Sequence, residues 1–323
     1  PDAHEVLSNH EVTREVKEVR VGIKFPSVKL ANQTPTLRGL KAHSDAHFEL
    51  LMKAEGGSPQ MFDSYDRAKN TRWSASSWTR NIDFSGVAWD DVQINGGKQI
   101  SIGEITMVTP QHGIISKHCV RRRVMPHLAE KDVVHTVPKS NAQAAVQFHD
   151  RAGRLVKRRI TKYVNLGVWA ADTTVVLLDR PVSDSVKKYR VFSQIDSTGQ
   201  EVDWMQWLGG AKTLNTVRER GATICKVRNI YGKNKAIVYE PVADLPKPFQ
   251  RMPNRAIGGD SSNPAFVFVK GEPIFVGFFS TGGSNGVFGA GPFLSNQVLV
   301  ESLDKAASSL GGQGKIGYLK LAP

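Results

Sequence analysis

Cysteine is almost absent from the chain, since only Cys119 and Cys225 occur among its 323 residues. Two thiols cannot form the disulfide framework of a small secreted protein, and they could pair with each other only if the fold brought them together. We therefore expect two free thiols. This expectation favours a reducing compartment such as the cytoplasm, or a virion, over secretion that depends on disulfides.

Long apolar runs and an excess of acidic charge are also missing. No stretch of 18 consecutive apolar residues occurs, so we expect no membrane span. The net charge is +13, from 43 basic and 30 acidic side chains. Residues 1–90 carry equal numbers of both, so the whole excess lies in residues 91–323. A basic domain of this kind attracts polyanions or acidic protein segments.

The densest basic runs are Arg121-Arg122-Arg123 and a second run at 157–159. Each run is open to two interpretations, a contact for a polyanion or a basic face in water, and the second is the commoner meaning. A polyanion contact through Arg121, Arg122 and Arg123 stays one prediction about partners. The sequence offers no convincing metal-ligand or cofactor motif, so we expect neither a metal nor a cofactor.

The first 84 residues form an N-terminal extension of mixed, partly irregular character. Ser44 or Asp45 can begin a short helix there, and Gly56-Gly57 can end it. Beyond the extension, eleven short apolar runs, many of them rich in Val and Ile, are separated by Gly, Pro, Asn or Asp. Many short strands with turn residues between them predict an all-β barrel or sandwich.

The end of the chain departs from this strand pattern. The segment "SNQVLVESLDKAASSLGG" has helical spacing, with Ser295 as the expected cap and Gly311-Gly312 as the expected stop. Within the strand region, "DRAGR" at 150–154 has a glycine where a hairpin loop needs one. The sequence therefore predicts one β domain that is closed by a C-terminal helix.

The stretch "AIGGDSSNPAFVF" places two glycines and Asp260 directly before Ser261. Glycine allows unusual backbone angles, so that consecutive N–H groups can hold a developing negative oxygen. A serine becomes a nucleophile when a base lies within hydrogen-bond reach and an acid orients that base. Upstream, "MVTPQHGIISKHCV" ends a predicted strand at His118, and "VWAADTTVVLLDRPV" places Asp172 just before a buried strand.

These three segments resemble those of the trypsin/chymotrypsin-like serine peptidases, in the same chain order. "GDSSNP" is similar to the family's "GDSGGP", "IGEITMVTPQHGIISKHC" to its hairpin and "TAAHC"-like histidine segment, and "DTTVVLLDRPV" to its aspartate strand. In addition, "VGFFSTGG" is similar to the strand that lines its substrate groove. The resemblance covers about residues 85–310 and is to cysteine-poor bacterial or viral members. It implies two six-stranded antiparallel β-barrels of chymotrypsin-like type with the site in the cleft between them. We therefore predict a peptidase domain over residues 85–323.

The resemblance also implies a role for each matching residue. Ser261 would attack the scissile carbonyl, His118 would take its proton, and Asp172 would orient the imidazole. The backbone N–H groups of Gly259 and Ser261 would form the oxyanion hole. The residues that would contact substrate are Arg255, Ala256, Ser280, Thr281 and Gly282.

Arg255 lies where the family has the floor of its primary pocket. A guanidinium there would favour an acidic residue before the scissile bond through charge-assisted pairing. Alternatively, Arg255 lies on a shifted loop and faces water. The sequence alone does not choose between these two positions.

The chain departs from the family pattern at three points. Ser262 and Asn263 follow the serine where the family has glycines, and Ser262 is a rival nucleophile. No "IVGG"-like start is present that would supply an N-terminal amine to Asp260. Asp260 must therefore find another partner, such as a basic side chain or backbone amides.

Two functions of different classes follow from these observations. The first is a serine endopeptidase that cleaves a polyprotein or partner proteins through an acyl-enzyme intermediate. The second is a structural or binding protein with a protease fold, such as a virion or scaffold component, whose activity is weak, relict or self-limited. The combination of His118, Asp172 and Ser261 favours the first.

Overall fold

The structure, a computed structural model, is described for most of the chain after residue 35. The described residues are 36–53, 57–89, 91–94, 98–101, 103–123, 130–167, 172–204, 208, 210–217, 220–231, 236–243, 260–282 and 289–322. Within them the helices are α1 (Leu37–Lys53), α2 (Lys117–Arg123), α3 (Gln297–Leu310) and a short 3₁₀ helix (Ala142–Ala144).

Strands dominate the described residues. In the first half of the chain they are β1 (Phe62–Ser64), β2 (Arg72–Trp73), β3 (Val87–Ala88), β4 (Asp91–Ile94), β5 (Lys98–Ser101), β6 (Ile105–Met107), β7 (His112–Ser116), β8 (Val134–Thr136), β9 (Ala145–His149), β10 (Leu155–Asn165) and β11 (Thr173–Leu178). In the second half they are β12 (Val191–Phe192), β13 (Lys212–Val217), β14 (Gly221–Tyr231), β15 (Ala236–Pro241), β16 (Pro264–Val269), β17 (Glu272–Phe278), β18 (Thr281–Gly282), β19 (Gly289–Pro292) and β20 (Tyr318–Leu319).

The first large sheet has seven strands in the order β3-β6-β7-β11-β10-β8, with β9 paired to β10. β10 is long enough to pair with different strands along its length. Its first half pairs with β9, and its second half pairs with β8 and β11. β9 in turn lies against β3 at the opposite edge, so the sheet curls round on itself. Its interior is apolar, as Val146, Phe148 and Ile160 show by their complete burial.

The second large sheet has nine strands in the order β18-β19-β15-β14-β13-β16-β17-β12-β20. Its central strands are antiparallel, whereas β12 pairs parallel with both β17 and β20. A bridge between Gly277 and Phe293 brings β17 to the end of β19 and curls this sheet too. Gly277 must be glycine there, because a Cβ would overlap the carbonyl oxygen of Pro292.

One apolar cluster joins the two sheets. It contains Ile114 and Val175 from the first sheet, and Leu214 and Phe266 from the second. The ring of Phe266 lies 4.7 Å from that of Tyr189. Burying a side chain of this size contributes about 1.5–3 kcal/mol, so this shared core fixes the sheets against each other. The result is the predicted all-β fold with two barrel-like sheets, compatible with a chymotrypsin-like fold.

The sheets carry more strands than the six per barrel that the resemblance implied. Six strands form each curled body, namely β3, β6, β7, β9, β10 and β11 in the first and β13–β17 with β19 in the second. Short edge strands lengthen each body, β8 in the first sheet and β12, β18 and β20 in the second. The extra strands therefore lie at the edges and leave the two-barrel plan unchanged.

The described part of the N-terminal extension packs on both sheets. Trp73 Nε1 donates to the carbonyl oxygen of Asp150 at 2.6 Å, next to β9, and Gln60 bridges to Gly221 at the start of β14. Helix α1 lies on the second sheet, where the His47 ring stacks on Phe268 with centroids 3.8 Å apart. The extension thus spans the junction between the sheets.

The starts of the two long helices differ from the predicted ones, whereas α3 ends at Leu310 with Gly311 as its C-cap, as predicted. α1 begins at Leu37, where Thr36 Oγ1 accepts the N–H of Gly39 at 3.0 Å. Ser44 is instead buried within this helix and donates to the carbonyl oxygen of Lys212 at 3.3 Å. α3 is capped by Asn296, one residue after the predicted Ser295. In the ranges given above, no helix is long and apolar enough to cross a membrane.

Candidate active site

The strands that precede the predicted histidine and follow the predicted aspartate are neighbours in the first sheet. β7 and β11 pair antiparallel, with Ser116 opposite Thr173. Just beyond this pair, Lys117 N donates to the backbone oxygen of Asp172 at 2.7 Å. His118 is the second residue of α2 and not the end of a strand as predicted, because the chain turns into a helix directly after Ser116.

Asp172 holds His118 through both carboxylate oxygens. Oδ2 lies 2.5 Å from the ring nitrogen Nδ1, and Oδ1 accepts the backbone N–H of His118 at 3.1 Å. Two contacts to one residue fix the orientation of the imidazole and leave its Nε2 directed away from the carboxylate. Asp172 has a φ of 38°, in the left-handed region that aspartate tolerates better than most residues.

The second sheet reaches the same carboxylate. Ser280 Oγ donates to Asp172 Oδ2 at 2.6 Å, and the backbone N–H of Ser280 is held by the carbonyl oxygen of Ala290 at 2.8 Å. The sequence led us to expect that Ser280 contacts substrate, and it did not predict the hydrogen bond to Asp172. No local sequence pattern could predict this bond, because the two residues lie 108 positions apart.

The pKa of His118 is raised to about 10. The hydrogen bond to Asp172 is the main cause, the hydrogen bond to the Cys119 thiol adds to it, and partial burial opposes both. An imidazole in this setting favours its protonated form at neutral pH. Its base form becomes populated as the pH approaches the raised value.

Cys119 lies at the centre of the site, with only 2 % of its surface exposed. Its Sγ donates to the carbonyl oxygen of Ser261 at 3.8 Å. Burial disfavours the thiolate, but hydrogen bonds with His118, Ser116 and Ser262 and the charge of His118 outweigh burial and lower the pKa of Cys119. Both thiols of the chain are buried and free.

The serine segment therefore lies against the residue that follows the histidine. Asp260 is buried, Ser261 is partly exposed, and Asn263 N closes the turn onto the carbonyl oxygen of Asp260 at 3.1 Å. Both Ser261 and His118 are described, and no hydrogen bond joins them. The structure thus brings His118 and Asp172 into direct contact. Ser261 contacts Cys119, the residue that follows His118.

The remaining predicted site residues divide into two groups. Thr281 and Gly282 form β18, which pairs with β19 through Ala290 and Gly289. The other residues lie outside the described ranges, either entirely or by their side chains. They are Arg255, Ala256 and Gly259, and the side chains of Arg121, Arg122 and Arg123 in α2.

The arrangement can support acid–base chemistry at a serine. A carboxylate orients an imidazole, and a partly exposed hydroxyl lies on the neighbouring segment. Over the described part of the chain, no group of three or more His, Cys, Asp or Glu side chains could hold a metal ion. No protein-family model matches the chain, and no curated protein matches it. The functional assignment therefore depends on the chemistry of these residues.

Proposed function

We propose that the chain is a serine endopeptidase. Ser261 Oγ attacks the scissile carbonyl, the neutral form of His118 takes the hydroxyl proton at Nε2 and passes it to the leaving amine, and Asp172 stabilises the imidazolium. Because the raised pKa of His118 favours its protonated form at neutral pH, the fraction of enzyme in the active form increases as the pH rises toward that value. The acyl group remains on Ser261 until water, deprotonated by His118, releases it. The substrate is a peptide segment of a polyprotein or of a partner protein.

The observation that carries this proposal is the doubly bonded pair of Asp172 and His118. The 2.5 Å contact to Nδ1 and the 3.1 Å contact to the backbone N–H are what an orienting carboxylate requires. The serine segment reaches this pair through Cys119, whose Sγ lies 3.8 Å from the carbonyl oxygen of Ser261. A purely structural ion pair would not need a serine segment on its open side.

The edge of the second sheet supports a mode of substrate binding. β18 is the first strand in that sheet, so its outer edge has no neighbouring strand among the described residues. An extended substrate could add to Ser280, Thr281 and Gly282 through main-chain hydrogen bonds. The N–H groups of Gly259 and Ser261 would hold the oxyanion, each contributing on the order of 3 kcal/mol.

A second candidate is a structural or binding protein with a protease fold, for instance a virion or scaffold component. The observation that favours it is that Ser261 and His118, both described, share no hydrogen bond. Such bonds are often long before substrate binds, so the peptidase stays the first proposal. The two candidates differ in whether Ser261 is reactive.

An active-site-directed fluorophosphonate probe separates the two functions. We expect the wild type to be labelled and Ser261→Ala to remain unlabelled, with Ser85→Ala as a control for the loss of a buried serine hydroxyl. Mass spectrometry of the labelled peptide distinguishes Ser261 from the rival nucleophile Ser262. An unlabelled wild type, folded by circular dichroism, would favour the structural protein.

A profile of cleaved peptides then tests specificity. Enrichment of Asp or Glu before the scissile bond would place Arg255 in the primary pocket, and loss of that enrichment in Arg255→Gln would confirm it. An indifferent profile would leave Arg255 facing water. A polyanion contact through Arg121, Arg122 and Arg123 predicts binding to a nucleic acid that weakens steeply with salt.

A further inference from the structure

Ser262 has a backbone conformation that a serine rarely adopts. Its φ is 73°, in the left-handed region that favours glycine, and only 1 % of its surface is exposed. A side chain in this conformation costs stability relative to glycine. A buried serine at such a position therefore needs a contact that glycine could not make.

That contact joins the two sheets. Ser262 Oγ accepts the backbone N–H of Ser116 at 2.7 Å, across 146 positions of the chain. On its other side, Ser262 N donates to the carbonyl oxygen of Phe279 at the end of β17. Ser262 is thus bonded to β7 of the first sheet by its side chain and to the second sheet by its backbone.

A neighbouring glycine leaves space for the hydroxyl at this position. A Cβ built on Gly103 would lie 3.0 Å from Ser262 Oγ and 2.7 Å from Cys119 Sγ. Gly103, with a φ of 89°, therefore leaves room for the hydroxyl and the thiol, because any side chain there would crowd both. In this space Ser262 Oγ accepts the N–H of Ser116.

We propose that Ser262 is a positioning residue that sets the distance between the nucleophile and the base. Ser262 directly follows Ser261, and Ser116 lies two residues before His118. The hydrogen bond between Ser262 and Ser116 therefore ties the serine segment to the histidine segment across the cleft. This role rests on the proposed peptidase function, and it explains why serine stands where the resembling family has glycine.

The test compares Ser262→Gly and Ser262→Ala with the wild type. Glycine removes the hydroxyl and relieves the backbone strain, so its melting temperature falls less than that of the alanine variant. At saturating probe, both variants should react with the fluorophosphonate about 10- to 100-fold more slowly than the wild type. This is the rate loss expected when Ser261 is displaced from His118 by about 1 Å. The probe concentration at half-maximal rate should change little, because the probe's own binding contacts remain.

Ser85→Ala is the matched control. Ser85 is equally buried, and its Oγ accepts the backbone N–H of the distant Lys187 at 2.9 Å. It precedes β3, and its hydroxyl is hydrogen-bonded to Asp83 and Lys187 rather than to the histidine or serine segment. We expect this variant to lose stability but to keep the labelling rate. A comparable loss of rate in Ser85→Ala, or an unchanged rate in Ser262→Gly, would overturn the positioning role.

Hydrogen exchange at the Ser116 amide keeps this inference distinct from the proposed function. The amide should exchange faster in Ser262→Gly than in the wild type, whether or not the protein hydrolyses peptides. Unchanged exchange would overturn the inference by itself. Faster exchange together with an unlabelled wild type would refute the peptidase and leave Ser262 as a tie between the sheets, which would also overturn its positioning role.

Discussion

Asp172→Asn removes the charge that holds His118, and its effect on stability follows from the contacts of the carboxylate. Oδ2 accepts from His118 Nδ1 at 2.5 Å and from Ser280 Oγ at 2.6 Å. An amide nitrogen at that position cannot accept either bond. A hydrogen bond to a charged group contributes about 1.5–3 kcal/mol. Because the His118 side chain is 35 % exposed, solvent screens the interaction, and we expect a total loss of about 2 kcal/mol just below pH 6.5, where the unfolded-state pKa of the imidazole lies.

The pH dependence of this loss has a definite sign. The raised pKa of His118 means that the stability contributed by its protonated form is fully present below the unfolded-state value of 6.5. That contribution is lost as the pH rises through the folded-state value of about 10. Without the carboxylate, the pKa of His118 returns toward its ordinary value. The difference in unfolding free energy between wild type and variant is therefore largest just below the unfolded-state value of 6.5 and shrinks as the pH approaches 10.

Urea unfolding at a series of pH values measures this difference, and an NMR titration of the His118 ring locates its pKa directly. Asp179→Asn is the control, since Asp179 accepts the N–H of Arg159 at 2.9 Å and pairs with Arg180. Its stability loss should not follow the titration of a histidine. The reasoning is refuted if the loss in Asp172→Asn stays constant over the whole pH range, or if His118 of the wild type titrates near its ordinary value.

Two further sets of variants test the site and the backbone. Ser280→Ala should slow fluorophosphonate labelling about tenfold, because the free energy of one hydrogen bond corresponds to about a tenfold change in rate. An unchanged rate would show that the position of Asp172 does not depend on that hydroxyl. Gly291→Ala would place a Cβ on the carbonyl oxygen of Phe278, so we expect urea unfolding to show a loss of about 3 kcal/mol. Gly199→Ala meets no atom within 4 Å, but its φ of 86° predicts a loss of about 1 kcal/mol in the same assay; equal losses would contradict the steric argument.

The fold could be predicted because strand patterns are local. The all-Val, Leu and Thr run of β11 is buried along its whole length, and the hairpin at 150–154 has Gly153 at a φ of 81° as its loop requires. Helix starts were predicted less well. Ser44, Thr36, Ser295 and Asn296 are all good caps by residue type, and the choice among them depends on which side chain the tertiary packing leaves at the free N–H groups.

The site too has features that depend on tertiary packing and that the sequence did not predict. The types of His118, Asp172 and Ser261 and their order were visible in the sequence. The hydroxyls of Ser280 and Ser262 were not, because each makes its contact with a residue more than 100 positions away. Such contacts depend on how one sheet packs on the other, and a single sequence carries no periodic signal for that packing.

The alignment of the site also depends on the register of β7 and β11. A strand that is buried on one face has its register fixed by alternation, but every residue of β11 is buried, so alternation cannot fix it. Hydrogen bonds at the two ends of the strand can: Lys117 N binds the backbone oxygen of Asp172, and Leu178 N binds that of Gln111. The contact between His118 and Asp172 adds to the first of these. The residues proposed to do the chemistry thus also hold the strands in the register that brings them together.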